Sequence, residues 1–332
     1  MRCISRGAAA LLVLALAAYP AAARPAGLVF SVLTYNIDGL PWPLKRDRTQ
    51  AFSRIAARLR SMRAVGRQPS IVVLQEAFTH VTKGIGVEGG YRYAVFGPPV
   101  PRGSEGASAI VTAIRSLLGG DAEKVVDSGL AVFSDYPIRA AHRFAFADCV
   151  GYDCLANKGA VLARIAMPGG DVDVVTTHLN SKRASGVDWP SSISAYERQV
   201  DALGAFLARA HDPRLPLVVA GDFNVGRATA RRAYLLMRSA KWSGPLRQPV
   251  RDALGHCHEA GIPLSPGTRR ALAESRDWQF FTSGRRTAIE AIGADAAFGR
   301  EADGTMLSDH IGYVVRYRLG HAATDDADTK PL

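Results

Sequence analysis

The feature that most constrains this chain is a set of short β-branched and apolar runs, several of which end in a polar cluster. The runs cover residues 29–35, 71–74, 91–96, 130–133, 160–165, 172–177, 217–220 and 311–317. Some alternate faces, as Val172, Val174 and Thr176 do against Asp171, Asp173 and Val175, and others are apolar on both sides. Two helices interrupt them. Phe52, Ile55, Ala56, Leu59 and Met62 recur at helical spacing, and Ser194-Ala-Tyr-Glu197 has the form of a capping box, followed by Tyr196, Val200, Leu203 and Leu207 as a buried stripe. Strands interspersed with helices predict an α/β domain of packed sheets carrying helices on their outer faces. No internal repeat is present.

Five polar clusters stand at strand ends. Tyr35-Asn36-Ile37-Asp38, Gln75-Glu76, Thr177-His178-Leu179-Asn180 and Gly221-Asp222-Phe223-Asn224 each close a run, and Ser308-Asp309-His310 precedes the last one. A single cluster of this kind is an ordinary turn. Five in one chain predict a shared pocket, because a sheet scaffold gathers distant side chains at its strand ends. Glu76, Asp222, Asp309 and Asn36 are hard oxygen ligands suited to Mg²⁺ or Mn²⁺. His178 and His310 can move protons near neutral pH, and Asn180 and Asn224 can donate hydrogen bonds to phosphoryl oxygens. No Gly-x-Ser-x-Gly elbow, Cys-x-x-Cys or His-Glu-x-x-His motif supplies a competing chemistry. Gly84-Ile-Gly86-Val-Glu-Gly89 formally matches a dinucleotide loop but neither follows a clear strand nor opens a helix, so it is set aside. His256-Cys257-His258 lacks a second ligand pair at zinc spacing and reads as a loop coincidence.

Charge and the N-terminus bear on partners and compartment. Lys and Arg total 41 against 30 Asp and Glu, a net +11 over 332 residues, which favours an anionic partner: nucleic acid, an anionic membrane surface or a phosphate-bearing substrate. Arg2 and Arg6 precede an apolar run over 8–19, then Pro20 and three alanines, the form of a secretory signal peptide over 1–23 cleaved after Ala23. The mature protein is therefore expected in the periplasm or the medium. An oxidising compartment permits Cys149 and Cys154 to close a small loop with Cys257 left over, but spacing alone leaves the pairing open. The last residues, 321–332, show no apolar pattern and read as a flexible tail.

The ordered series Asn36, Gln75-Glu76, Thr177-His178-Leu179-Asn180, Gly221-Asp222-Phe223-Asn224 and Ser308-Asp309-His310 resembles the motifs of the endonuclease/exonuclease/phosphatase superfamily, which includes deoxyribonuclease I, inositol polyphosphate phosphatases and neutral sphingomyelinases. The resemblance implies a four-layer α/β/β/α sandwich over 24–320 with a divalent-metal site at one edge of the sheets. Phe96-Gly97-Pro98-Pro99-Val100, Gly129-Leu130-Ala131-Val132-Phe133-Ser134 with Tyr136-Pro137-Ile138, and Asp153-Cys-Leu-Ala-Asn157-Lys158-Gly159 are similar to segments of neutral sphingomyelinases. Asp153 and Lys158 match an acid–base pair near the active site of the animal enzymes. Departures are Asp277-Trp-Gln-Phe-Phe in place of the commoner Asp-Tyr-Ile-Phe, and Asn157 before the lysine; they bear on substrate preference more than on the reaction.

By this resemblance Glu76 binds Mg²⁺ with help from Asn36, and Asp309 supports the metal or the base. His310 is the general base, oriented by Asp277. Asp222 orients the water, Asn224 contacts the phosphate, and His178 stabilises developing charge or protonates the leaving alkoxide. Asn180, Lys158 and Asp153 are expected around the substrate. The expected function is a secreted, monomeric phospholipase C cleaving sphingomyelin to ceramide and phosphocholine at a membrane surface, with a secreted metal-dependent nuclease acting on nucleic acid as the alternative. The apolar side of 108–118 and the loop residues Trp42 and Trp189-Pro190 are candidates for meeting the bilayer.

Overall fold

Alternating apolar residues on the β-branched runs build two sheets that share one core. The computed structural model describes residues 27–40, 45, 48–102, 124–182, 185–244 and 249–321. The 1–23 segment, Trp42, the 108–118 stripe and the tail beyond 321 lie outside these residues. The first sheet contains β1 (Val29–Asn36), β2 (Ile71–Gln75), β3 (Tyr93–Phe96), β4 (Ala131–Ser134), β11 (Thr287–Phe298) and β12 (Gly312–His321), in the order β11-β12-β1-β2-β4-β3. The second contains β5 (Ile138–Ala145), β6 (Gly159–Met167), β7 (Gly170–His178), β8 (Leu217–Asp222), β9 (Arg251–Asp252) and β10 (Asp277–Thr282), in the order β5-β6-β7-β8-β10-β9.

Period-two alternation divides the side chains of each sheet. Val32 of β1, Val73 of β2 and Val132 of β4 meet Val161, Val174 and Val218 of the other sheet in a central apolar layer. The opposite faces carry helices. Leu33, Val72 and Leu74 are covered by Phe52, Ile55 and Leu59 of α1 (Thr49–Ala64) and Ile85 of α2 (His80–Glu88). Leu162, Val175 and Val219 are covered by Tyr196, Val200 and Leu203 of α3 (Trp189–Ala210) and Leu235 of α4 (Thr229–Ser239). Two shorter helices, α5 (Ala253–Glu259) and α6 (Pro266–Glu274), contribute Leu254, Cys257 and Ala271 to the central layer. The result is the expected α/β/β/α sandwich. Polar links cross it: the Gln75 amide donates to Thr176 Oγ1 at 3.0 Å and the Gln279 amide to the Val32 carbonyl at 3.1 Å, satisfying groups that would be costly to bury alone.

Most strands are longer than their apolar runs suggest, and β5, β9, β10 and β11 were not expected as strands. Backbone pairing carries β1 to Asn36, β2 to Gln75, β7 to His178 and β8 to Asp222, drawing the polar ends into the ladders. Helix α3 starts earlier than expected. Asp188, whose side chain accepts from the Ser191 N–H, is its cap; Pro190 sits in the first turn, where its missing N–H is harmless, and Ser194 is interior. Trp189 and Pro190 are thus helical rather than in a loop. His256, Cys257 and His258 also lie on a helix rather than a loop, and the glycines at 84 and 86 fall within α2. Among the described residues no helix is long and apolar enough to cross a membrane.

At the end of the sandwich remote from the polar clusters, fully buried Asp173 accepts from Arg164 Nε at 2.8 Å and Nη2 at 3.0 Å, and lies 3.0 Å from His211 Nδ1. Burial opposes its charge, but His211 and Arg164 hold the carboxyl below its ordinary range. A depressed native pKa stabilises the fold above the unfolded value, about 3.9, and that contribution is lost as pH falls through the native one. Asp173→Asn should therefore cost about 3 kcal/mol near neutral pH, read by urea denaturation. The gap between variant and wild type should narrow as pH falls below about 4; a gap unchanged with pH would refute the assignment.

Candidate active site

Two parallel strand pairs create the site. The β1–β2 pair and the β7–β8 pair are each joined by a crossover containing a helix, α1 and α3 respectively, so all four strands release their chains at the same end of the sandwich. Asn36 ends β1, Glu76 follows β2, His178 ends β7 and Asp222 ends β8. Register does the rest. His178 is paired directly with Asp222 across β7 and β8, and Asp222 with Asp277 at the start of antiparallel β10. The residue before β12 in this face of the molecule is His310, placed two residues ahead of the strand.

Asp222 is the hub. Its Oδ2 accepts from Asn36 Nδ2 at 3.0 Å and lies 3.4 Å from His178 Nε2 and 3.7 Å from His310 Nε2. Its Oδ1 accepts from the Asn224 N–H at 2.9 Å. Burial works against the carboxylate, yet His310, His178 and these donors keep its pKa below the ordinary value. Asn36 Nδ2 also reaches Glu76 Oε1 at 2.9 Å, while Asn36 Oδ1 accepts from the Asp38 N–H at 3.0 Å. The Asn36 amide is thereby locked with its donor between two carboxylates.

The two histidines occupy opposite electrostatic states. His310 Nδ1 sits 2.7 Å from Asp277 Oδ2. Burial alone would lower its pKa, but the Asp277 and Asp222 carboxylates raise it to about 10. His178 is driven down to about 3, by burial first and then by the Lys158 ammonium, and is neutral. Its Nε2 stands between Lys158 Nζ at 3.3 Å and Asp222 Oδ2 at 3.4 Å, and its Nδ1 has no partner among the described residues. The Asp153–Lys158 pair is buried rather than exposed: Lys158 Nζ donates to Asp153 Oδ1 and, at 3.2 Å, to the Leu179 carbonyl. Asp153 Oδ2 accepts from the N–H and hydroxyl of Ser181, each at 2.7 Å. The turn bearing Asp153 (Gly151–Leu155) is closed by a Cys149–Cys154 disulfide, which resolves the pairing that spacing left open.

Three of the expected residues are placed differently from the rest. Asn224 directs its Nδ2 to the Leu179 carbonyl at 2.9 Å, and Asn180 is fully buried with its Nδ2 on the Ser181 carbonyl at 2.8 Å. Asn224 therefore ties the β8 loop to the β7 loop, and Asn180 braces its own loop. Asp309 is mostly exposed at the rim, 3.4 Å from Arg276 Nη1 and 4.0 Å from His310 Nε2.

Cation-holding capacity resides in two places. Among the described residues Glu76 Oε2 is buried without a hydrogen-bond partner, and burial raises that carboxyl to about 7. Among the described residues, Asp222, Asp277 and His310 also bring ligand atoms within 4.8 Å of one another. A buried, partnerless carboxylate oxygen beside a second carboxylate is the donor chemistry that a hard divalent cation satisfies. Glu76 and Asn224 adopt left-handed backbone conformations, φ 60° and 50°; for Glu76 this costs about 1–2 kcal/mol, a strain that the surrounding ladder must hold.

Sequence reasoning did not single out Arg48, Gln199 or Arg231. Arg48 Nη2 donates to the Ile37 and Leu307 carbonyls at 2.9 and 2.6 Å, joining the loop after β1 to the loop that carries His310. Gln199 joins the Asn180 N–H to the Asp148 carbonyl, at 2.7 and 2.8 Å. The available signal was a polar residue on the buried face of a helix.

The profile of the Endonuclease/Exonuclease/phosphatase family matches residues 33–310, so the chain belongs to that family. A sphingomyelinase of Mycobacterium tuberculosis is 25% identical over 302 residues, covering 87% of this chain and 52% of the relative; the chain spans about half the length of the curated relatives it matches first. Among solved structures, sphingomyelinase C from Streptomyces griseocarneus superposes with a TM-score of 0.60 at 21% identity, over 87% of this chain and 99% of that one. A beta toxin variant of Staphylococcus aureus, with bound magnesium ions, gives 0.58 at 16% identity over 88% and 99%. These likenesses extend to the whole sandwich.

Gly221 allows β7 and β8 to approach at the site: a Cβ there would stand 2.1 Å from the Thr177 carbonyl oxygen. Gly221→Ala should destabilise the fold by about 1–3 kcal/mol through a forced backbone shift. A thermal melt checks this, and an unchanged midpoint would show that the strands have room to separate.

Proposed function

We propose that this chain is an exported, divalent-metal-dependent phosphodiesterase of the sphingomyelinase type, a phospholipase C that releases phosphocholine from sphingomyelin. The single observation that carries the reading is the convergence of Asn36, Glu76, His178 and His310 around Asp222. The relatives named sphingomyelinase and phospholipase C support the lipid substrate. Partly exposed Trp189 and Tyr152 support contact with a lipid interface. Trp189 lies over the buried Arg231, which contacts the Asn180 and Asn224 loops, and Tyr152 adjoins Asp153. The Cys149–Cys154 disulfide supports export to an oxidising compartment.

Glu76 and Asp222 are the residues to hold the cation, and their oxygen-only character favours Mg²⁺. When bound, such an ion polarises a phosphoryl oxygen and offsets negative charge in the transition state. Asn36 sets the separation of the two carboxylates. Asp277 fixes the His310 imidazole through Nδ1 and leaves Nε2 directed at the hub. Nε2 would be free to take a proton from the attacking water once a cation held by Glu76 and Asp222 offset the carboxylate charge that favours the protonated ring. His178, neutral and backed by Lys158, is placed to stabilise charge on the phosphoryl group or the leaving alkoxide. Asp309 at the rim and the buried Asp153–Lys158 pair complete the charge pattern around the ester. The net charge of +11 draws the protein to anionic surfaces.

His310→Ala should lower phosphocholine release from sphingomyelin vesicles by roughly 10²–10⁴-fold, while the protein still folds cooperatively with a lowered thermal midpoint, because Asp222 and Asp277 lose a partner. Chelation should abolish release by wild type, and added Mg²⁺ should restore it. Plasmid nicking under the same conditions is the competing assay: nicking without phosphocholine release would replace this reading with a nuclease.

A further inference from the structure

Helix α4 buries Arg231, Leu235 and Ser239 on one face, spaced four residues apart. Leucine at such a position is ordinary; a fully buried arginine is not, since desolvating a cation is costly unless it is paired. Arg231 has no carboxylate partner in an ion pair among the described residues. Carbonyls surround it instead. Its Nη1 donates to Asn180 O at 2.7 Å and Asn224 O at 2.9 Å. Its Nη2 donates to Ser192 Oγ at 2.8 Å, Ser192 O at 3.2 Å and Ser181 O at 3.3 Å. The guanidinium also stacks 4.4 Å from the Tyr196 ring centroid.

These acceptors come from three separate segments: the loop after β7, the loop after β8 and the first turn of α3. Both loops lead directly to the site. Leu179, beside Asn180, supplies the carbonyl that receives Lys158 Nζ and Asn224 Nδ2. Ser181 supplies both donors to Asp153 Oδ2. Beyond the ladder pairing of His178 with Asp222, the loops that continue from the two strands are therefore joined through one planar fork. We propose that Arg231 is a positioning residue of the active site, fastening the β7 and β8 loops so that His178, Lys158 and Asp222 keep their mutual distances. It touches neither substrate nor reacting atoms. Lysine offers three donors from a single nitrogen and cannot span the same acceptors.

The kinetic part of the test rests on the phosphodiesterase reading; the exchange part does not. Arg231→Lys is compared with wild type and with Asp173→Asn, which lies at the far end of the sandwich and serves as a control for lost stability. Hydrogen exchange should accelerate about tenfold or more in segments 179–182 and 223–226 of Arg231→Lys, with α1, β1 and β2 still protected. On sphingomyelin vesicles its kcat should fall roughly 10–100-fold, with KM within about twofold, whereas Asp173→Asn keeps the wild-type kcat. Uniformly raised exchange, or a kcat that follows thermal stability equally in both variants, would overturn the proposal. Should Arg231→Lys not fold, Ser192→Ala removes one acceptor of the fork; local exchange confined to 179–182 and 223–226 then supports the role, and unchanged exchange refutes it. A wild type inactive on vesicles sinks the functional reading alone, and the exchange pattern still decides for or against Arg231.

Discussion

A charged carboxylate held in the interior is the condition from which the rest of this molecule follows. Asp222 is almost wholly removed from water, and its charge survives because groups from three other segments and its own turn surround it. Asn36 comes from the first sheet, His178 from the neighbouring strand, His310 from the loop before β12, and the Asn224 N–H from its own turn. The Asn36 and His310 contacts join the two sheets at their polar edge, in addition to the apolar layer that packs them along their length. A half-completed network of this kind would destabilise the fold.

Around that hub, neutral donors and carbonyls do the positioning. Asn36 spaces two carboxylates, Gln199 ties the disulfide-closed turn to the β7 loop, and Arg48 joins the loop after β1 to the one carrying His310. Asn36 reaches one oxygen of Glu76, whose backbone is left-handed and whose other oxygen has no partner among the described residues. Strain and an unsatisfied oxygen at one residue are understandable together: the scaffold keeps a ligand group ready rather than letting it relax into the core.

Much of the site was legible along the chain because each motif lies at a strand end, where a polar residue cannot belong to the apolar ladder and must have another reason to be there. The same logic failed for β10. Asp277 opens a run, Trp278 to Phe281, whose aromatic residues carry no clear alternation, and its partner Asp222 lies across an antiparallel register that no local pattern records. Helix α3 was dated from the wrong signal: Ser194 resembles a cap, but the Asp188 carboxylate, followed by Trp189 and Pro190, satisfies the first turn earlier. Asn180 and Asn224 were legible as loop amides, yet whether an amide faces a pocket or a neighbouring carbonyl depends on which loops meet it.

By itself, the sequence determined the alternation that makes two sheets, the helical stripes that cover them and the residue types available for metal and proton chemistry, since all of these are set by spacing within one segment. Tertiary structure alone decided that Asp222 rather than Glu76 is the centre of the network, that burial favours a neutral His178 while neighbouring carboxylates favour a charged His310, that Asp309 stands at the rim, and that a buried arginine fastens two loops. The reason is physical: protonation, orientation and partnership depend on burial and on charges brought from segments far apart in the chain, and no spacing along a single strand carries that information.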